Sequence, residues 1–232
     1  MHKLLIVGAA GRMGQRITEL AMREGPLQAF YGLESAGKSS PLAIPCGSDR
    51  AKIAEADVLI DFTIAEATAQ LLSDVVSAQK PYVIGTTGFS GIQEAAIVEA
   101  SKFIPIVKSS NMSPGVNAFF KAAQQVAQAL PHHAVHIMET HHMHKKDAPS
   151  GTALQAGGLI ENVSKQKVTY ESFRKGEVIG DHRIVFKGPM DLVELYHHAE
   201  SRDIFAAGAL QAAQWIIGRK PGLYTMFDVL GL

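Results

Sequence analysis

The chain is poor in the features that would commit it to a special environment. It has one cysteine, Cys46, in 232 residues, so no intrachain disulfide can form, which fits a reducing compartment. Neither charge is in excess, since Lys plus Arg and Asp plus Glu number 22 each. No net field therefore draws the protein toward nucleic acid or a membrane surface. No segment approaches the ~20 apolar residues of a membrane span. Met1-His2-Lys3 passes directly into Leu4-Leu5-Ile6-Val7, a buried-strand pattern too short for an export signal. There is no internal repeat and no low-complexity tail. These absences point to a soluble, cytoplasmic protein of one large or two small domains with ample core, and with no nucleic-acid or membrane partner.

What is present begins with an alternation of short apolar runs and helical patterns. Strands are expected at Leu4 to Val7, Gln28 to Leu33, Asp57 to Phe62, Pro81 to Ile84 and Ile104 to Val107. Between them, Met13, Ile17, Leu20 and Ala21 share one helical face. Leu71, Leu72, Val75 and Val76 share another, and a third helix covers Ile92 to Ala100. Continuous apolar strands separated by helices require a parallel sheet covered on both faces, and right-handed crossovers make it doubly wound. The stretch from Glu34 to Asp57, with Ser39-Ser40-Pro41 and Pro45-Cys46-Gly47, leaves room for little beyond a loop and one helical turn.

After Ser109 to Gly115 the rhythm changes, which puts a domain boundary near residue 112. A helix over Asn117 to Leu130 stops at Pro131, and a strand follows from Ala134 to Thr140. Ser150 or Thr152 can cap the next helix, whose Ala153, Ala156, Ile160 and Val163 share a face. Three alternating stretches, Lys167 to Arg174, Val178 to Lys187 and Leu192 to Ala199, read as antiparallel or mixed strands. A last helix, about Phe205 to Ile217, is nearly apolar all round and is expected to be buried. The fold class is therefore α/β: a Rossmann-like doubly wound parallel sheet with an α+β mixed-sheet domain.

Two stretches carry chemistry. The first strand runs into Gly8-Ala9-Ala10-Gly11-Arg12-Met13-Gly14, a tight turn that brings backbone close to a pyrophosphate and aims a helix N-terminus at its charge. Glu34 closes the second strand, where a carboxylate can accept bonds from ribose hydroxyls. Gly85-Thr86-Thr87 and Ser109 to Met112 leave the same edge of the sheet, where open parallel sheets bind ligands. Each of these loops could equally be a simple turn. The second stretch is Glu139 to Thr152, E-T-H-H-M-H-K-K-D-A-P-S-G-T. Imidazoles move protons near neutral pH, lysines bind carboxylates, and an S-G-T turn opening a helix offers N–H groups to an anion. This suits a small anionic substrate that must be protonated. Together the two stretches suggest a reductase, with hydride from a nicotinamide and a proton from the histidine-lysine segment.

On these residues the chain resembles the dihydrodipicolinate (4-hydroxy-tetrahydrodipicolinate) reductase family. The likeness rests on G-A-A-G-R-M-G, on D-F-T at 61–63 and on G-T-T-G-F at 85–89. It continues through S-N-M-S-x-G-V-N at 110–117, H-H-x-H-K-x-D-A-P-S-G-T-A at 141–153, S-R at 201–202 and D-V-L-x-L at the C-terminus. The resemblance implies NAD(P)H-dependent reduction of a small cyclic dicarboxylate on the diaminopimelate route to lysine. It implies a dinucleotide-binding domain over 1–112 and a substrate and oligomerisation domain over 113–204. Residues 205–232 would return to the first domain, and the substrate-domain sheets would build a homotetramer.

By the family pattern His141 is the proton donor/acceptor and Lys145 the other catalytic proton donor. His142 contacts substrate, and Gly151 with Thr152 holds a carboxylate, assisted by Ser150. His144 reads as a substrate contact or a structural hydrogen-bonding group. The cofactor positions are Gly8, Ala9, Ala10, Gly11, Arg12, Met13, Glu34, Gly85, Thr86, Thr87, Ser109, Ser110, Asn111 and Met112. Ser35 and Ile64 stand where NADPH-using members can carry arginine, which removes positive charge near a 2′-phosphate. Lys38 or Arg12 could compensate, and NADH is expected to serve at least as well as NADPH. His132, His133 and His136 read as surface residues and Lys146 as solvated. Asp147 reads as shaping the turn or orienting a neighbour, and Arg202 as facing substrate or a surface ion pair. The rival readings are a metal-dependent hydrolase using the histidines and a non-catalytic dinucleotide sensor. No metal is expected, because the segment lacks a carboxylate pair and its lysines repel cations.

Overall fold

The computed structural model describes residues 1–23, 25–38 and 44–232; Ser39-Ser40-Pro41, expected in a loop, lies outside them. In chain order the elements are β1 (His2–Val7), α1 (Arg12–Ala21), β2 (Leu27–Leu33), β3 (Cys46–Gly47), a 3-10 helix (Arg50–Glu55), β4 (Val58–Asp61), α2 (Ala65–Ser77), β5 (Tyr82–Ile84), α3 (Gly91–Ala100) and β6 (Pro105–Lys108). They continue with α4 (Pro114–Ala129), β7 (Ala134–His141), α5 (Gly151–Ser164), β8 (Val168–Arg174), β9 (Asp181–Lys187), β10 (Leu192–His198), α6 (Asp203–Ile216), β11 (Gly222–Tyr224) and α7 (Met226–Leu230). The chain forms two compact units, Met1–Ser113 with Phe205–Leu232, and Pro114–Ile204.

The first unit is built on a seven-stranded sheet of order β11-β6-β5-β4-β1-β2-β3, and every neighbouring pair is parallel. Leu4, Leu5 and Ile6 of β1 and Leu59 and Ile60 of β4 are fully covered. Each such side chain contributes roughly 1.5–3 kcal/mol over its exposed state, which holds these strands at the centre. One face packs on Ile17 and Ala21 of α1 and on Ala206, Ala209, Ala213 and Ile216 of α6. The other packs on Leu71 and Val75 of α2 and Ile97 of α3. Both faces are thus covered, as continuous apolar strands demand. Strand order reverses between β1 and β4, so the loops after them flank the switch point where such sheets bind ligands.

The second unit has a four-stranded sheet of order β10-β9-β7-β8, parallel between β7 and β8 and antiparallel elsewhere. Val135, Ile137, Glu139 and His141 of β7 and His182, Ile184 and Phe186 of β9 are buried on one face, against which α4 and α5 pack. Thr169, Glu171 and Phe173 of β8 and Glu194, Tyr196 and His198 of β10 are exposed on the other.

Some expectations need correcting. Helix α4 begins at Pro114 rather than Asn117, because proline at the first helical position loses only an N–H that would be unpaired anyway. Helix α6 is not buried all round: Ala207, Gln211 and Gln214 are exposed, so its alanine-rich sequence buries one stripe. Strands β3 and β11 and helix α7 were not expected, being too short to show a period. No helix among the described residues is long and apolar enough to cross a membrane.

Candidate active site

In the first unit the glycine loop leaves β1 and enters α1 with no room for a side chain at Gly8 or Gly14. Gly8 has a φ of +80°, and a Cβ at Gly14 would lie 2.1 Å from the Gly8 carbonyl oxygen. Helix α1 therefore starts in contact with the loop. Its N-cap, Gly11, supplies no side-chain cap, whereas Ser90 and Ser150 cap α3 and α5. The first-turn N–H groups of α1 thus have neither an intrahelical acceptor nor a side-chain cap, the arrangement that favours phosphate. Glu34 reaches back from the end of β2, its Oε1 accepting the Ala10 N–H at 2.5 Å. A cavity of about 630 Å³ opens beside them, lined in part by Gly8, Ala10, Gly11 and Glu34.

Around that cavity are several groups that bear on cofactor choice. Ser35, Lys38, Arg50 and Ile64 also line it. Arg50 already pairs with Asp74 at 2.9 Å. The loops after β4 and β5 are joined by Asp61, which is fully buried. It accepts bonds from the Thr63 N–H at 2.8 Å, the Thr68 hydroxyl at 2.8 Å and the Tyr82 hydroxyl at 2.5 Å. The Thr86 hydroxyl lies 3.3 Å from it. Burial, reinforced by this carboxylate, holds the Tyr82 phenol well above its usual pKa.

In the second unit β7 delivers His141 to its carboxyl end. Alternation puts Glu139 on the same face two residues earlier, and its Oε2 meets Nδ1 of His141. Burial alone would raise the Glu139 pKa. Hydrogen bonds from Ser172, His141 and Arg174 outweigh that, so the carboxyl sits below its ordinary value. Burial lowers the His141 pKa; Glu139 opposes this, while Lys145 and Arg174 add to it. Directly across the sheet His182 pairs in register with Glu139 and with His197. The His182 ring stands edge-on to that of His141, 5.2 Å between centroids. Burial, with the nearby His141 and His197, lowers the His182 pKa to about 4. Its Nε2 lies 3.1 Å from the Ser150 hydroxyl, which also caps α5 by accepting the Ala153 N–H.

The sequence-singled residues fall into these two groups. Gly8, Ala10, Gly11 and Glu34 line the cavity, Arg12 is exposed, and Ala9 and Met112 are core residues. Met13 packs against that core. Gly85, Thr86 and Thr87 follow β5, with Thr86 buried and Thr87 exposed. Ser109, Ser110, Asn111 and Met112 follow β6, and the Ser109 hydroxyl donates to the Asn111 carbonyl at 2.8 Å. His142, Lys145 and Thr152 are half-buried, and Gly151 is exposed at the start of α5. Lys145 pairs with Asp147 at 2.9 Å, so Asp147 orients a neighbour. His144 is exposed, 3.9 Å from Glu177. Lys146, Arg202 and His132 are also exposed. His133 departs from the surface reading: it is largely covered and pairs with Asp191 at 2.9 Å. Among the described residues no group of three or more His, Cys, Asp or Glu is arranged to hold a metal ion.

Sequence reasoning gave no role to Arg174, His182, Asp61 or Arg50. Glu139 was legible in principle, since two residues before a strand histidine means the same face. Arg174 and His182 are set by strand pairing and Arg50 by its helix's contact with Asp74 of α2, whereas Asp61 meets Thr63 and Thr68 only a few residues on.

A parallel doubly wound sheet with an open glycine loop, and a second unit presenting a buried Glu-His pair with a lysine, define a dinucleotide-dependent oxidoreductase. Residues 2–112 match the family model for the dihydrodipicolinate reductase N-terminus, and residues 115–230 match that for its C-terminus. The chain belongs to the dihydrodipicolinate reductase family. It is 40% identical over 253 residues to 4-hydroxy-tetrahydrodipicolinate reductase from Akkermansia muciniphila, covering 100% of this chain and 99% of that one. It is 39% identical over 267 residues to the enzyme of the same name from Syntrophotalea carbinolica, with 100% of both chains covered. Among solved structures, dipicolinate-bound dihydrodipicolinate reductase from Paenisporosarcina sp. TG-14 shares the fold. Its TM-score is 0.87 at 22% identity, over 98% of each chain.

Proposed function

We infer that the protein reduces 4-hydroxy-tetrahydrodipicolinate to tetrahydrodipicolinate with a nicotinamide dinucleotide, a step of diaminopimelate and lysine biosynthesis. The observation that carries this is the match of both halves of the chain to the two family models. The histidine-lysine segment, running into the N-terminus of α5, supplies the chemistry. Gly151 and Thr152, with Ser150 behind them, offer an anion site at a helix start. His142 and His144 would contact the substrate, and His141 and Lys145 would be the proton donors. When bound, the nicotinamide supplies hydride. Gly8 to Met13 would hold the pyrophosphate, Glu34 the adenosine ribose, and Gly85 to Thr87 with Ser109 to Met112 the nicotinamide end. The comparisons favour this reading over a dinucleotide sensor or a metal hydrolase.

NADH should serve at least as well as NADPH. Ser35 and Ile64 bring no cation to the cavity, Glu34 brings an anion, and of the cations that line it, Lys38 and Arg50, the second is engaged by Asp74. The exposed sheet face with Phe173, Leu192 and Tyr196 supports assembly into a homotetramer. We place the enzyme in the cytoplasm, where the thiol of Cys46 would stay reduced.

The test is oxidation of NADH and NADPH, with substrate made in situ by the preceding synthase from pyruvate and aspartate semialdehyde. His141→Gln should lower kcat by ~10²-fold or more with NADH affinity retained, and Lys145→Ala should also reduce turnover. Absence of substrate-dependent oxidation with either nucleotide would overturn the reading. A preference for NADPH above about tenfold in kcat/KM, roughly 1.4 kcal/mol, would overturn the cofactor assignment. Light scattering that found a single chain would overturn the tetramer.

A further inference from the structure

We propose that Arg174 and Glu139 form one positioning unit that sets both proton donors, the carboxylate orienting His141 and the guanidinium clamping the segment that carries Lys145. This rests on the reductase reading of the site. Glu139 is 1% exposed and Arg174 half-buried, so neither is a solvated surface charge.

The geometry uses all the donors that a guanidinium has. The Arg174 Nε–H donates to the Lys145 carbonyl at 3.2 Å. Nη1 donates to Glu139 Oε1 at 3.0 Å and to the Phe173 carbonyl at 2.6 Å. Nη2 donates to Glu139 Oε1 at 3.0 Å and to the Asp147 carbonyl at 2.5 Å. One side chain on β8 therefore ties the buried carboxylate of β7 to the backbone on both sides of Lys146. The Asp147 side chain completes the link through its ion pair with Lys145. A lysine at 174 would keep the charge but not the planar fork that reaches these acceptors together.

The carboxylate does a different job. By accepting the Nδ1 proton it leaves Nε2 as the nitrogen that exchanges a proton, because imidazole tautomers are set by the bond at the other nitrogen. The space beside Nε2 depends on Gly180, where a Cβ would stand 3.1 Å from it. Gly180 is not among the positive-φ glycines, so the requirement is room rather than backbone conformation. The charged and titratable groups facing His141 are Glu139 on its own strand, Arg174 on β8, His182 on β9 and Lys145 in the following loop. Glu139 is the only anion in that set, so it alone favours the protonated ring.

The experiment pairs imidazole ¹⁵N NMR with pH-rate profiles of the full chain. Wild-type neutral His141 should be the Nδ1–H tautomer. Glu139→Gln should move the high-pH limb of kcat/KM assigned to His141 down by about one pH unit or more, the shift expected when a neighbouring opposite charge is lost. Arg174→Lys should lower kcat by about 10²-fold through misplaced donors, with NADH affinity unchanged. If Glu139→Gln does not fold, the wild-type tautomer and Arg174→Lys decide the matter. A merely structural pair would lower stability and leave both the limb and kcat in place. An Nε2–H tautomer in the wild type, or unmoved limb and kcat in the variants, overturns the proposal. The tautomer is read without turnover, so an inactive wild type would defeat the reductase reading and leave this test standing.

Discussion

Acidification should loosen the second unit's sheet, and His182 should account for most of the slope. In the fold this ring is 4% exposed and its pKa is lowered from 6.5 to about 4. The unfolded chain keeps the ordinary value, so between these limits it binds more protons than the fold does. Stability therefore rises with pH through this window. It is complete above about pH 6.5 and falls as pH drops toward 4. The difference is worth about 3 kcal/mol, at roughly 1.4 kcal/mol per pH unit. His141 and His197 have lowered pKa values for the same first reason, burial, and steepen the slope. Glu139 acts at the acid end: its lowered pKa contributes stability above its unfolded value that is lost as pH falls further. Of the other charges facing His182, Asp181 resists the shift but does not reverse it. The assay is native-state hydrogen exchange of β7 and β9 amides, corrected for intrinsic rates, from about pH 7 to pH 4.5. The opening free energy of these strands should fall by about 3 kcal/mol or more. In His182→Gln, which cannot titrate but can still bond the Ser150 hydroxyl, the slope should drop by up to about 1.4 kcal/mol per pH unit. Equal slopes in the two proteins would refute the reasoning.

Two further substitutions probe the first unit. Gly14→Ala sets a methyl 2.1 Å from the Gly8 oxygen and 2.6 Å from Ala9 Cα. Both are backbone atoms that cannot rotate away, so α1 must retreat from the loop, and NADH affinity measured by fluorescence should fall at least about tenfold; an unchanged Kd would contradict this packing. Asp61→Ala leaves the hydroxyls of Tyr82 and Thr68 and the Thr63 N–H without their carboxylate. It should cost about 3 kcal/mol or more in urea unfolding, and a loss under about 1 kcal/mol would show that water replaces the acceptor.

The sheet of the first unit was legible because its central strands are apolar on both faces and the intervening helices show their period. Leu4-Leu5-Ile6-Val7 needs no partner information to be read as buried, and Ile17 with Ala21 needs none to be read as facing it. Pairing order was not legible in this way. Strand β11 is three residues, Gly222-Leu223-Tyr224, and its bond to β6 is decided by where α6 returns the chain, not by local propensity. Strand β3 is two residues held by Gly32 and Leu33 of β2. Helix α6 misled for a different reason. Alanine counts as apolar yet buries little area, so a row of alanines does not tell a covered face from an open one.

At the site the division is sharper, and it follows from the range over which each interaction acts. His141, Lys145 and the Ser150 cap lie within one short stretch, and their chemistry can be read from neighbours a few residues apart. What governs His141 comes from farther away: Arg174 is 35 residues from the carboxylate it holds, and His182 is 32 residues from the serine it meets. An unpaired arginine or histidine in a strand pattern reads as a solvated edge, since charged side chains are seldom buried without a partner. The β7–β8 register supplies the first of these partners and the N-cap of α5 the second. Once supplied, they reverse the reading of the cluster. Burial acts against a charged His141 and His182 alike, yet only His141 has a carboxylate bonded to its ring, where His182 has the Ser150 hydroxyl. His182 therefore serves the fold as a neutral ring under Ser150, while His141, with a carboxylate on one nitrogen and room beside the other, is the imidazole equipped to exchange a proton.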